Sequence, residues 1–164
     1  YGQRGQKGTG RSDATEMRVA PIPTRILISC FLGLQTLVAL AIWAKSPLIM
    51  TSWASSSALI ATLRGAPSAR PKSAFMGHII STLAGMLVLV LLGPSLWWIG
   101  LAVSLAVVVM WFTDNIHPPA AANAAIIFVT PVPLLWFGGV TLAGATGLAA
   151  IAYLLSRLPS ETKA

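Results

Sequence analysis

Between Lys72 and Arg157 the only charged residue is Asp114. A stretch that long with a single charge cannot cover a water-soluble globule. Four apolar runs, residues 26–44, 74–92, 96–113 and 134–156, each approach the roughly 20 residues an α-helix needs to cross a hydrocarbon core. With 55% hydrophobic and 9% charged residues and a mean hydropathy of +0.78, the chain falls outside the range of ordinary soluble domains. The runs are too many and too long to be a signal peptide. The expectation is an all-α polytopic membrane protein with four long transmembrane helices.

The formal net charge of +7 is a topological signal rather than a mark of nucleic-acid binding. Residues 1–24 read as a disordered basic tail, 25–156 as one transmembrane domain and 157–164 as a polar tail. The chain does not begin with Met, which points to a missing or processed N-terminal piece. Cys30, the single cysteine, forms no internal disulfide and belongs to no cysteine metal motif. Gln35, near the middle of the first run, is expected to make an interhelical hydrogen bond.

The run Asp114-Asn115-Ile116-His117-Pro118-Pro119-Ala120-Ala121-Ala122-Asn123 lies between the third and fourth apolar runs. Residues that precede proline are pushed toward extended backbone, and proline fits the first turn of a helix. The pattern predicts an extended approach through His117 and a short helix from Pro118 to about Val129. The N–H groups at its start form the outline of an anion site. A second interrupted segment, residues 46–63, carries Ser55-Ser56-Ser57, which suit a helix start inside the bilayer.

Shifting the sequence by 67 residues places 54–61 on 121–128 and Gly77 on Gly144. Each half then reads as helix, broken segment, helix, so two broken or half-helix segments join the four long helices. If the broken segments cross the bilayer, one side holds five basic residues before the first helix, three in the loop 64–72 and two in the C-terminal tail. The other side holds Lys45 alone. The positive-inside rule favours that layout over re-entrant segments and makes the repeats inverted, with both termini cytoplasmic. Discontinuous helices in inverted repeats are a transporter layout.

The segment Ile116-His117-Pro118-Pro119-Ala120-Ala121 resembles the signature of the HPP family of integral membrane proteins. The run Ala54-Ser55-Ser56-Ser57-Ala58-Leu59-Ile60 is similar to the family's small-residue segment. Pro67-Ser68-Ala69-Arg70-Pro71-Lys72, followed by Met76-Gly77-His78, is similar to its basic loop and Gly-His helix start. The resemblance covers roughly residues 25–156. It implies four transmembrane helices, where the charge distribution favours six crossings, and it implies transport of nitrite by chloroplast-envelope-like members. The family usually has glycine where this chain has Ala120, Ala121 and the serine run, which leaves the substrate open.

The expected function is a transporter or channel for a small inorganic anion, with nitrite the first candidate. The expected setting is a bacterial inner membrane, or alternatively a chloroplast envelope. The substrate set is His117, Pro118, Pro119, Ala120, Ala121, Asn123, Ser55, Ser56 and Ser57, supported by Asp114, His78 and Arg70. Each has a plainer role beside the functional one. His117 either fastens the loop or handles substrate and protons. His78 makes a structural contact. Asp114 caps the motif segment or partners His117 or Arg70. Arg64, Arg70 and Lys72 are topogenic or form an anion vestibule. The serines and Asn123 donate to the anion or glue helices together. No acid–base pair, nucleophile motif or metal cluster is apparent, so neither an enzyme nor a cofactor or metal ion is expected. Partners are the anion and the lipid bilayer, not nucleic acid, with a homo-oligomer or membership of a larger membrane complex both open. Two rival classes stay open as well: a non-transporting subunit, and a redox or pigment protein ligated by His78 and His117.

Overall fold

The computed structural model describes residues 24–157, and every regular element among them is helical. The expected tails lie outside the described residues except for Thr24 and Arg157, which end helices. The α-helices are α1 Thr24–Trp43, α2 Ile49–Thr62, α3 Pro71–Leu92, α4 Ile99–Phe112, α5 Ala122–Ile126 and α6 Leu134–Arg157. Short 3-10 turns, Pro67–Ala69, Leu96–Trp98 and Pro118–Ala121, precede α3, α4 and α5.

Local chemistry sets the breaks. Pro71 opens α3 behind an extended Arg70 (ψ 144°), as proline requires of its predecessor. Gly93 closes α3 at φ +84°, a conformation that a Cβ would strain, and its N–H bonds the Leu89 carbonyl. Asp114 ends α4 in the left-handed region at φ +53°. In contrast to the expected helix start at Ser55, α2 runs unbroken from Ile49 to Thr62, and the serine run lies in its middle. The Ser55 hydroxyl donates back to the Thr51 carbonyl at 2.8 Å, as serines inside helices do.

Side-chain pairings fix the helix directions. Gly33 lies against Ile151 and Gly147 against Leu37, while the Trp43 and Trp136 rings meet tilted with centroids 5.4 Å apart, so α1 and α6 are antiparallel. Thr82 bonds Thr141 and Met86 reaches Gly138, so α3 is also antiparallel to α6 and therefore parallel to α1. Between them α2 runs back, its Ser57 carbonyl accepting from Cys30. The tight Gly93-Pro94 turn reverses α4 against α3, bringing Met110 to Gly77. Ala120 meets Gly77 and Ala124 meets Gly85, so α5 runs along α3 in the same direction. Successive helices thus alternate in direction. Thr24, the loop 63–70, Asp114 and Arg157 share one end of the bundle; Lys45, Pro94 and Trp136 share the other.

Many large apolar side chains are exposed along the helices: Trp97, Leu135 and Phe112 are 90%, 91% and 84% exposed. Ser52, Ser56, Ser57, His78, Ser81, Thr82, His117, Asn123 and Thr141 are buried. An apolar exterior around a polar centre is what a hydrocarbon solvent selects. Two of the four expected long helices, α3 with 22 residues and α6 with 24, are long and apolar enough to cross a membrane by length and composition. α1 has 20 residues, of which Cys30–Trp43 forms a shorter apolar helix, and Leu96–Phe112, which takes in the 3-10 turn before α4, forms another. Gln35 is exposed on the outward face of α1 rather than bonded between helices.

Candidate functional site

The polar centre is built where α2 and α5 meet beside α3. Pro118 forces His117 into an extended conformation (φ −137°, ψ 88°), which swings the imidazole away from the chain that follows. Gly77 makes the room: a Cβ there would stand 2.8 Å from the His117 Cβ and 3.3 Å from the Ala120 Cβ. Two turns on, a Cβ at Gly85 would stand 2.9 Å from the Ala124 Cα. The two glycines form a slot on α3 in which the motif segment lies. Two hydroxyls hold it there. Ser81 donates to the Ala120 carbonyl at 2.6 Å and Ser52 to the Pro119 carbonyl at 2.9 Å.

Ser56, His78, His117 and Asn123 are completely buried and form one hydrogen-bonded chain. His117 Nδ1 is 2.6 Å from the Ser68 carbonyl oxygen, and His117 Nε2 is 2.9 Å from Ser56 Oγ. Ser56 Oγ is 3.0 Å from His78 Nε2, and His78 Nδ1 is 3.1 Å from Asn123 Nδ2. Asn123 Nδ2 also donates to Thr82 Oγ1 at 3.2 Å, and Thr82 to Thr141 at 3.3 Å.

The partners assign the protons. A carbonyl only accepts, so His117 carries its hydrogen on Nδ1 and Nε2 accepts. Ser56 therefore donates to His117 and accepts from His78, whose hydrogen is on Nε2. Its Nδ1 then accepts from the Asn123 amide, whose Oδ1 is buried and unpartnered. All four ring nitrogens are engaged, and both Nε2 atoms converge on one hydroxyl. Ligation of a haem or similar centre between the rings is disfavoured by this geometry, since each nitrogen would have to leave a protein partner.

The structure thus brings together His117, Asn123, Ser56 and His78, with Pro119 and Ala120 attached through their carbonyls. It sets the other proposed site residues apart. Ser55 and Pro118 are exposed and Ala121 is half-buried. Arg70 is exposed. Asp114 is exposed rather than paired with His117 or Arg70, because the chain turns left-handed at that residue and Ser68 takes the ring nitrogen instead. Ser57 is buried, yet its hydroxyl has no partner, nor has the Trp53 indole N–H one turn earlier. The sequence reading overlooked Ser52, Ser68, Ser81, Thr82 and Thr141. Isolated hydroxyl residues in apolar helices carry no pattern of their own, although a search for Ser or Thr on the glycine face of α3 would have found Ser81.

Among known proteins the chain matches the HPP transmembrane region over residues 18–164. It is 32% identical over 130 residues to one transmembrane protein of Dictyostelium discoideum, covering 74% of this chain and 40% of that protein. A second transmembrane protein of the same organism is 31% identical over 119 residues, covering 68% of this chain and 41% of the relative. The chain thus spans about two-fifths of the length of these relatives. No solved structure matches. The match along nearly the whole chain, together with the His117-Pro118-Pro119 centre that organises its interior, places this protein in the HPP transmembrane family.

Proposed function

We propose that the protein is a membrane transporter or channel, and not an enzyme, and that it passes a small inorganic anion, nitrite being the first candidate through the family resemblance. The observation that carries the reading is the buried polar centre inside an apolar exterior. Polar side chains at such depth are costly in hydrocarbon and are kept where they serve a pathway. Trp53 and Ser57, four residues apart on one face of α2, add two buried donors without acceptors. A small anion would supply the missing acceptor. These side-chain donors take the role first assigned to helix N-termini, because α2 begins two turns before the serine run and α5 has only five residues.

The packing supports two inverted three-helix units. Offset by 67 residues, the Gly77–Ala120 approach corresponds to the Gly144–Trp53 approach, and both are close. Ser52 and Pro119, which differ by that offset, bond to each other. Ser56 and Asn123 differ by it too and flank His78 from opposite sides. In this reading all six helices cross, with both termini and the basic loop on the cytoplasmic side of a bacterial inner membrane. A passive subunit of a larger complex would have no need of the unpartnered donors.

The test compares nitrite, nitrate, formate and chloride flux in proteoliposomes against protein-free vesicles. Nitrite flux above background is expected, and no flux of any anion would sink the proposal. Ser57→Ala sharpens the test. Removing an unsatisfied hydroxyl leaves the fold as stable or more so, while losing a bond to an anion of about 1.5–3 kcal/mol raises the half-saturating concentration about tenfold or more.

A further inference from the structure

His78 and His117 are joined nitrogen to nitrogen through a single hydroxyl, and each end of the chain closes on a different kind of group. At one end the Ser68 carbonyl can only accept. At the other, the Asn123 amide can donate through Nδ2 or accept through Oδ1, and Oδ1 is the atom left without a partner. In the neutral state Nδ2 faces His78 and every ring nitrogen is satisfied. We infer that Ser56 joins the two histidines into a relay holding one exchangeable proton, and that this proton accompanies the anion through the protein; the second half rests on the transport reading above, the first on geometry alone.

The transfer balances atom by atom. With the added proton on His117, that ring donates through Nδ1 to Ser68 and through Nε2 to Ser56. Ser56 in turn donates to His78 Nε2, and His78 carries its hydrogen on Nδ1. The His117 Nε2–H bond breaks as an O–H bond forms at Ser56. The original Ser56 O–H bond breaks as an N–H bond forms at His78. The charge has then moved from one ring to the other with no heavy atom leaving its place.

In both charged states His78 carries a hydrogen on Nδ1. It is satisfied only when the Asn123 amide turns over and offers Oδ1. The unpartnered oxygen is thus the acceptor that the charged relay requires and the neutral relay leaves idle. A second added proton has no such place. Both Nε2 atoms would then donate to Ser56, whose own hydrogen would lose its acceptor, and two cationic rings would stand 5.6 Å apart.

The charged side chains described on the neighbouring elements lie at or beyond the ends of their helices. α2 and the motif segment from Pro118 to Ile126 carry none. Lys45 follows α1, Lys72 is in the first turn of α3, Arg70 precedes it, Asp114 follows α4, and Arg157 ends α6 beside Tyr153; all are exposed. Arg64 and Cys30, in the loop after α2 and on α1, are half-buried. Among the described residues the four ring nitrogens bond to Ser68, Ser56 and Asn123.

The sequence has only two histidines, so nitrogen-15 NMR of imidazole-labelled protein in nanodiscs reads both rings directly. At neutral pH one ring should show hydrogen on Nδ1 and the other on Nε2. Acidification should add one proton per chain, shared by both rings in fast exchange. Ser56→Ala should abolish the exchange, and Ser56→Thr, which keeps the hydroxyl, should restore it. Two independent protonations in the unaltered protein, or hydrogen on Nε2 of both rings, would overturn the relay whatever the protein transports. Coupling is read separately, as protons carried per nitrite in proteoliposomes after subtraction of protein-free vesicles. A ratio near one, lowered several-fold by Ser56→Ala and recovered by Ser56→Thr, is expected. Nitrite flux without protons would overturn the coupling. Absence of any anion flux would count against the transport reading and leave the NMR result standing.

Discussion

A Cβ added at Gly144 lands on the ring atoms of Trp53, whereas one added at Gly139 meets nothing within 4 Å. Both glycines lie inside α6, so helix propensity favours alanine at each by about 1 kcal/mol. The steric term decides the sign. At Gly139 the propensity gain stands alone, and Gly139→Ala is expected to raise the melting temperature in detergent. At Gly144 the indole is fully buried and has nowhere to retreat. Overpacking there costs about 1–3 kcal/mol, so Gly144→Ala should lower the melting temperature despite the better propensity. Equal shifts for the two variants would show that Trp53 does not pack on α6 as described. Residue identities alone could not make this distinction, because Gly138, Gly139, Gly144 and Gly147 all read as close-packing residues. The serine run shows the same limit. Consecutive helical residues point about 100° apart, so three adjacent serines cannot all face one site. Ser56 meets the histidines, Ser57 is buried without a partner, and Ser55 faces outward. His117 and Asn123 were legible because prolines and a lone polar residue mark them; Ser52 and Ser81 were not, because nothing local distinguishes a clasping hydroxyl from an idle one.

The motif segment from Pro118 to Ile126 is too short to be stable as a helix by itself, so its position depends on what grips it. Ser52 grips it from α2 and Ser81 from α3, each through the carbonyl of a different residue in the same turn. Removing either hydroxyl takes one hydrogen bond from the segment, at a cost of about 0.5–1.5 kcal/mol. Because the two bonds restrain one turn, their effects should not add. After Ser81→Ala has loosened the turn, Ser52→Ala has less left to lose. A double-mutant cycle of melting temperatures in detergent is expected to give a coupling above about 0.5 kcal/mol. Simple additivity would mean that each serine serves its own helix rather than the segment. The boundaries of the helices around this segment were readable from apolar runs and prolines. The clasp was not, since it joins residues 67 and 39 positions apart.

For the whole molecule, the decisive quantity is the side on which the basic loop emerges. The charge count favours six crossings, and in the structure α1 and α3 are both antiparallel to α6, so the chain between them runs back along the bundle, as the proposed layout requires. A re-entrant α2 would return the chain to the end it left and make α3 antiparallel to α1. The two layouts therefore disagree at two places. With six crossings Arg70 lies on the side of both termini and Pro94 lies opposite. With four, Pro94 lies with the termini and Arg70 opposite. Both positions are exposed, so Arg70→Cys and Pro94→Cys, each in a Cys30→Ser background, are accessible to an impermeant maleimide. In right-side-out vesicles Pro94→Cys should label and Arg70→Cys should label only after permeabilisation, as should Ser160→Cys in the C-terminal tail. Labelling of Arg70→Cys from outside, with Pro94→Cys protected, would restore the four-crossing layout. The proposed inverted repeat would go with it, and with it the proposal that Ser56 and Asn123, which both bond to His78, are equivalent residues of two units.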